Sequence, residues 1–203
     1  LENAGCMSVG FAEVDVGAVS SVAEKAVRIA RSGHVEGVVS LGSAGTTSLA
    51  KLVAVMMRSD QDVDDILDGT PPTGESAPLV VIPTEPFDPL LFTGFSACVD
   101  ARNRITRYLD IHTAPVGTIF DREILRHATG MSIRYNVVSA MLAAIEGIFS
   151  RRRSFLSVPG HAESIKRAVR FLRGDDGEKL DGDQRNTAIE AGILSAFGAA
   201  RTG

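Results

Sequence analysis

Two rhythms of apolar positions alternate along the first half of the chain. In "VSSVAEKAVRIARSG", Val19, Val22, Ala23, Ala26, Val27 and Ala30 fall at helical spacing, and Gly33 stands where a helix C-cap is expected. "VEGVVSLG" and "LVVIPT" are short unbroken apolar runs bounded by turn residues, the pattern of buried strands. Between them "TTSLAKLVAVMMR" predicts a helix. The acidic stretch "SDQDVDDILDGTPPTGESAP" predicts a short helix or loop broken by Pro71 and Pro72. Near the start, "MSVGFAEV" (Met7 to Val14) is short and β-like. The resulting order, βαβαβ, predicts a parallel sheet covered by helices.

The pattern then changes. "FTGFSACVDARNRITRYLD" predicts two short strands around a polar turn at Asp100 to Arg104, a hairpin. "APVGTIFD" predicts one more strand. From "REILRHATG" onward the spacing is helical: a long "IRYNVVSAMLAAIEGIFSRRR", an amphipathic "AESIKRAVRFLRG" and a final "DQRNTAIEAGILSAFGAAR". The boundary between an α/β domain (residues 1–121) and a helical domain (residues 122–203) therefore falls near Asp121.

Composition narrows the function classes. A net charge of -4 with no basic stripe argues against nucleic acid as a partner. Cys6 and Cys98 make neither a disulfide framework nor a zinc-ligand set, so a reducing cytoplasm is the expected compartment. No apolar run approaches the roughly 20 residues of a membrane span, and no signal peptide is visible, so no membrane partner is expected.

The opening "LENAG…VDVGAVSSVAEKAVRIARSGHVEGVVSLG", the turn "SLGSAGTTSLAKLVAV", the strand "PLVVIPT", the strand "APVGTIFD" and the strings "ILRHATGM" and "AAIEGIFS" occur in one colinear order. That series resembles the iron-type alcohol dehydrogenases, a superfamily that includes maleylacetate reductase and, more distantly, dehydroquinate synthase and glycerol dehydrogenase. The resemblance implies a nucleotide-binding α/β half followed by an all-helical half. It also implies that the family's opening strand–helix unit and its last His-bearing segment lie outside this chain.

The departures shape the functional expectation. The family's phosphate loop falls on Gly42, Ser43, Ala44 and Gly45. Its first glycine is kept; the next two positions carry side chains, where close approach of phosphate oxygens to backbone N–H groups favours glycine. The family's Asp falls on Ser48, and its Lys is Lys51. The second nucleotide-contacting turn is here "TEPFDPLL": Thr84 is kept, Pro86 and Pro89 remove two donors, and Phe87 and Leu90 add bulk. If nucleotide binding is retained, Gly42, Ser43, Gly45, Lys51 and Thr84 are the residues implied. The first two metal ligands of the family fall on Ser139 and Ala143, which are poor or absent donors. No metal is expected on this reading, and no cofactor, with NAD(P) as the weaker alternative.

The expected activity is non-redox chemistry (dehydration, cyclisation or isomerisation) on a small organic molecule in the cleft between the halves, in a bacterial biosynthetic setting. The alternatives are an NAD(P)-dependent dehydrogenase and a non-catalytic binding protein. His112, Tyr135 and Asp88 are the acid/base candidates; Phe87, Asn136, Ser139 and Ala143 are the expected cleft lining. Each has a plainer reading. Residues 42–51 make a simple strand-to-helix turn capped by Ser43 or Thr46, or another anion site. Asn136, Ser139, Ala143 and Glu146 form a small-residue packing seam. His112 is a structural histidine without a visible orienting partner. His34 is a solvated turn residue, and His127 and His161 are surface or capping residues. Asp62, Asp64 and Asp65 lack the glycine and terminal glutamate of a calcium loop. A raw sheet edge and uncovered helix faces predict a homodimer.

Overall fold

The computed structural model describes residues 3, 5–14, 18–174 and 180–202. Its elements are α1 (Ser20–Ser32), β1 (Val38–Gly42), α2 (Ala44–Met56), α3 (Val63–Leu67), β2 (Leu79–Pro83), β3 (Phe95–Asp100), β4 (Ile105–Asp110), β5 (Gly117–Thr118), α4 (Arg122–Arg126), α5 (Gly130–Phe149), α6 (Ser157–Gly174) and α7 (Gly182–Thr202). β1, β2 and β5 form a parallel sheet in that order, with Val38 opposite Leu79 and Val80 opposite Gly117. β3 and β4 form the expected antiparallel hairpin, with Phe95 opposite Asp110. Parallel α/β half and helical half both match the fold expected from the sequence.

Two local expectations in the α/β half are corrected, and one is met. "MSVGFAEV" is irregular chain; Met7 and Val9 are exposed, while Phe11 and Val14 pack on the core. "APVGTIFD" shrinks to the two residues of β5, flanked by Val116 and Ile119, which donate to Leu79 and Val81; Pro115, just before them, has no N–H to offer. At the end of α1, Gly33 is the C-cap, as expected; its φ is -83, and the left-handed residue is His34 with φ 49.

α2 is the spine of the α/β half. Every residue from Thr47 to Met56 is buried, so the helix is enclosed by the sheet, α1 and the hairpin. Burial of a side chain such as Leu52 or Met56 contributes about 1.5–3 kcal/mol. The hairpin is fastened to it: Ser96 Oγ donates to the Ser48 carbonyl at 2.9 Å. Its turn is fastened to α3 by Arg102, which pairs with Asp68 at 2.8 Å and with Asp100 at 3.0 Å.

α5, α6 and α7 pack as a bundle around Ile133, Val137, Ala168, Phe171, Ala188 and Ala191. His161, expected at the surface, lies wholly inside it. A Cβ at Gly147 would come within 2.2 Å of its ring and one at Gly198 within 2.5 Å, so two glycines make the slot the imidazole fills. The halves share a core, since Ala140 and Ala196 join the apolar cluster of the α/β half. Gly192 of α7 passes so close to the Pro86 carbonyl that a Cβ there would stand 2.1 Å away. Among the described residues no helix is long and apolar enough to cross a membrane.

Candidate functional site

The carboxyl ends of β1 and β2 meet the start of α2. The Thr84 N–H donates to the Gly42 carbonyl at 2.9 Å, stitching the two strand ends together. Ser43 occupies the N-cap position with extended φ and ψ, but its hydroxyl caps nothing. Thr46 folds back over the turn: a Cβ at Gly42 would lie 2.5 Å from its Oγ1. The first amides of α2 have no acceptor within the helix, as at any helix start, and carry the positive end of the dipole. Gly42, Ser43, Gly45 and Thr84 are therefore gathered at one strand-end crevice, the usual ligand position in parallel α/β sheets.

Lys51 is not in that crevice. It sits further along α2 with no exposed surface, and its Nζ donates to the carbonyls of Leu90 (2.5 Å), Thr93 (2.8 Å) and Phe95 (3.0 Å). Burial pushes its ammonium down to about 8, opposed by the nearby Asp88 carboxylate. Its three donors close the turn at 90–95.

The turn "TEPFD" lies against α5. The buried Phe87 donates its N–H to Asn136 Oδ1 at 3.2 Å, and Asn136 in turn donates to the Ser132 carbonyl at 2.9 Å. Asp88 is buried; its Oδ1 accepts from the Leu90 N–H at 2.9 Å and its Oδ2 has no partner among the described residues. Burial raises the Asp88 pKa. Burial also raises that of the half-buried Glu85, with the Asp88 charge adding to it and a hydrogen bond with Ser132 opposing. Phe87, Asp88 and Asn136 are thus brought together. Glu85 and Ser132 belong with them, and nothing in their spacing singled them out.

The remaining candidates stand apart from this group. His112 is exposed, takes a left-handed φ of 52 and has an orienting partner after all, with Nδ1 3.1 Å from Asp110. Tyr135 is 66% exposed; one residue from Asn136 on a helix, it turns about 100° away from it. Ser139 is exposed, and Ala143 packs against the main core. A divalent ion does not fit the residues at these two positions, because Ala143 has no donor atom. Among the described residues no group of three or more His, Cys, Asp or Glu could hold a metal. A mostly apolar cavity of about 570 Å³ lies on the far side of β1, between residues 9–14, α1 and α2.

A family model for iron-containing alcohol dehydrogenases matches residues 1–122. No curated protein matches the sequence. Among solved structures, an iron-containing alcohol dehydrogenase from Thermotoga maritima is 26% identical, with a TM-score of 0.84 over 95% of this chain and 53% of its own. A sulfoacetaldehyde reductase from Bifidobacterium kashiwanohense, solved with NAD+, is 18% identical with a TM-score of 0.86 over 94% of this chain and 51% of its own. A maleylacetate reductase from Rhizobium sp. is 24% identical with a TM-score of 0.72 over 94% and 49%. The chain spans about half the length of the structures it matches.

Proposed function

The chain belongs to the family of iron-containing alcohol dehydrogenases, and from that premise we propose that it is an alcohol-dehydrogenase-like oxidoreductase that binds a nicotinamide dinucleotide at the crevice of Gly42 to Thr46 and Thr84. The comparisons favour this oxidoreductase reading over the non-redox chemistry expected from the altered turns. One observation of the structure carries it: the two strand ends, held together by the Thr84–Gly42 bond, open on the unsatisfied amides of α2.

In this reading the amides of Ala44, Gly45 and Thr46 receive the diphosphate, and the missing Cβ of Gly42 lets the Thr46 side chain fold over the turn beside them. The dinucleotide supplies the hydride donor or acceptor. Glu85 is partly exposed and holds its proton more tightly than an ordinary carboxyl, so it is placed to exchange a proton with a small organic substrate between the turn and α5. Phe87 and Asn136 position that turn. Lys51 supports it from behind.

Titration with NADH and NADPH, followed by nicotinamide fluorescence, tests the proposal. Saturable binding is expected. Ser43→Asp keeps a good N-cap residue while placing a carboxylate beside the diphosphate, and weakens binding about tenfold or more. A flat titration with both nucleotides sinks the reading. The absence of a donor at Ala143 and the bulk of Phe87 favour, as the second reading, a small-molecule site that works without nucleotide.

A further inference from the structure

Buried hydroxyls in the bundle of α5, α6 and α7 are bonded. Ser164 Oγ donates to the Ala191 carbonyl at 2.8 Å, and Ser195 Oγ to the Ala140 carbonyl at 2.8 Å. His161, one turn before Ser164 on α6, differs. Neither of its ring nitrogens has a partner among the described residues, and it exposes no surface, so no water touches it. The ring is wedged between two helix backbones. A Cβ at Gly147 of α5 would stand 2.2 Å from its Nε2, and one at Gly198 of α7 would stand 2.7 Å from its Nδ1. Buried polar groups are ordinarily paired, so an imidazole held this way asks for a reason.

We propose that His161 is an acid-sensitive latch: its neutral ring closes the seam of α5, α6 and α7, and its protonation opens that seam. The neutral ring leaves one donor and one acceptor unpaired. The imidazolium would hold two unpaired donors and a whole charge where no water touches them, which costs far more. Burial already holds the imidazole pKa below the usual 6.5, with no neighbouring charge contributing. The charged groups of the three helices are engaged elsewhere or turned to water. Glu146, beside Gly147 on α5, is exposed, as are Arg151 to Arg153 just past that helix. On α6, Glu163 pairs with Lys166 and Arg167, and Arg167 also pairs with Glu190 of α7. Arg201 of α7 lies over the Phe197 ring. No carboxylate bonds the ring, so the protonated ring gains its missing partners by leaving the slot for water.

A base whose pKa is lower in the folded state than in the unfolded state costs nothing well above the unfolded value. As pH falls below the usual 6.5, the unfolded state takes up the proton first. Stability is then lost, by up to about tenfold in the unfolding constant per pH unit, until the folded pKa is reached. The helices that the latch joins also hold the turn at residues 84–88. Asn136 of α5 accepts from the Phe87 N–H, and Gly192 of α7 lies against the Pro86 carbonyl. Opening the seam therefore loosens the turn that carries Glu85. That consequence for catalysis rests on the oxidoreductase reading; the latch does not, and its tests use no nucleotide.

In the native protein the His161 ring resonance should keep its neutral position as pH falls through the usual 6.5, until the bundle opens. A titration midpoint at or above that value overturns the latch, and this measurement needs no stable variant. Urea curves followed by circular dichroism give the unfolding constant of the wild type relative to His161→Leu. That ratio should rise several-fold, to a limit of about tenfold, between about pH 7.5 and about pH 5.5. Glu85 and Asp88 titrate in both chains and cancel. An equal ratio at the two pH values overturns the proposal; His161→Asn, smaller and without a titrating group, serves in the same comparison should leucine overfill the slot. Amide exchange of the wild type at about pH 5.5, corrected for its intrinsic pH dependence, should quicken at residues 144–149 and 157–164 while α2 keeps its protection. Equal quickening of α2 would mean that the whole chain unfolds together, and would overturn the latch.

Discussion

α2 and α5 are both rich in small and apolar residues, yet they have opposite surroundings. α2 is enclosed on every side, and even its lysine is buried and bonded to three carbonyls. α5 is buried on one face, touches the α/β half through Asn136, and leaves a full apolar stripe uncovered. The contrast teaches that an all-round apolar helix marks burial demand, whereas its satisfaction depends on which neighbours the fold supplies.

The largest effect that would break this contrast is cavity formation. Leu52→Ala, in α2 with no exposed surface, should cost about 2–5 kcal/mol of unfolding free energy in urea. Leu142→Ala, on the stripe of α5, should cost under about 0.5 kcal/mol when measured on the monomer. Equal losses at the two sites would mean that the stripe is already packed.

Next is the buried lysine. Lys51→Met keeps the apolar stem and strips the donors from Leu90, Thr93 and Phe95. Stranded acceptors cost about 1–3 kcal/mol each when buried; the Leu90 carbonyl keeps its bonds from the Thr93 N–H and hydroxyl, and removing a buried ammonium relieves its desolvation, so a net loss of about 2–3 kcal/mol is expected, with faster amide exchange at residues 90–95. An unchanged melting transition would show that water replaces the ammonium. Gly147→Ala, where a methyl would meet the His161 ring, should cost about 1–3 kcal/mol through overpacking; a His161→Ala background should recover much of it.

The smallest expected effect is titration. Asp88 and Glu85 both have raised pKa values, Asp88 through burial and Glu85 through burial and the Asp88 charge. As pH falls, the folded state therefore takes up protons before the unfolded state, whose usual values are 3.8 and 4.5. Stability from these two groups rises as pH falls through the folded pKa values toward those limits. A Glu85→Gln/Asp88→Asn variant should lack that gain, so denaturation curves taken from neutral pH down to about pH 4 should move in the variant's disfavour. Parallel pH dependences would remove the two carboxyls from this account.

Much of the chain's local structure was legible. The periodicity of "VSSVAEKAVRIARSG" and the hairpin around Asp100 to Arg104 are local signals, and both elements formed where expected. β5 was overcalled because strand length depends on what a neighbour can bond, and Pro115 withdraws one donor. Of the site, the meeting of "TEPFD" with Asn136 follows from the family order. Glu85, Ser132 and the slot around His161 do not, because contacts such as Gly147 to His161 join positions whose spacing carries no period.

By itself, then, the sequence determined most of the order of strands and helices and the family, since each is written in short-range patterns of apolar residues, turn residues and charge. Tertiary structure decided that Lys51 is sealed behind a turn while Glu85 stays partly open. It decided that His161 is interior, and that nothing among the described residues covers one side of α5. Those outcomes depend on distant segments meeting: burial, desolvation and the pairing of a polar atom are properties of what lies opposite, and the helix repeat of α2 and α5 is the same whether or not anything does.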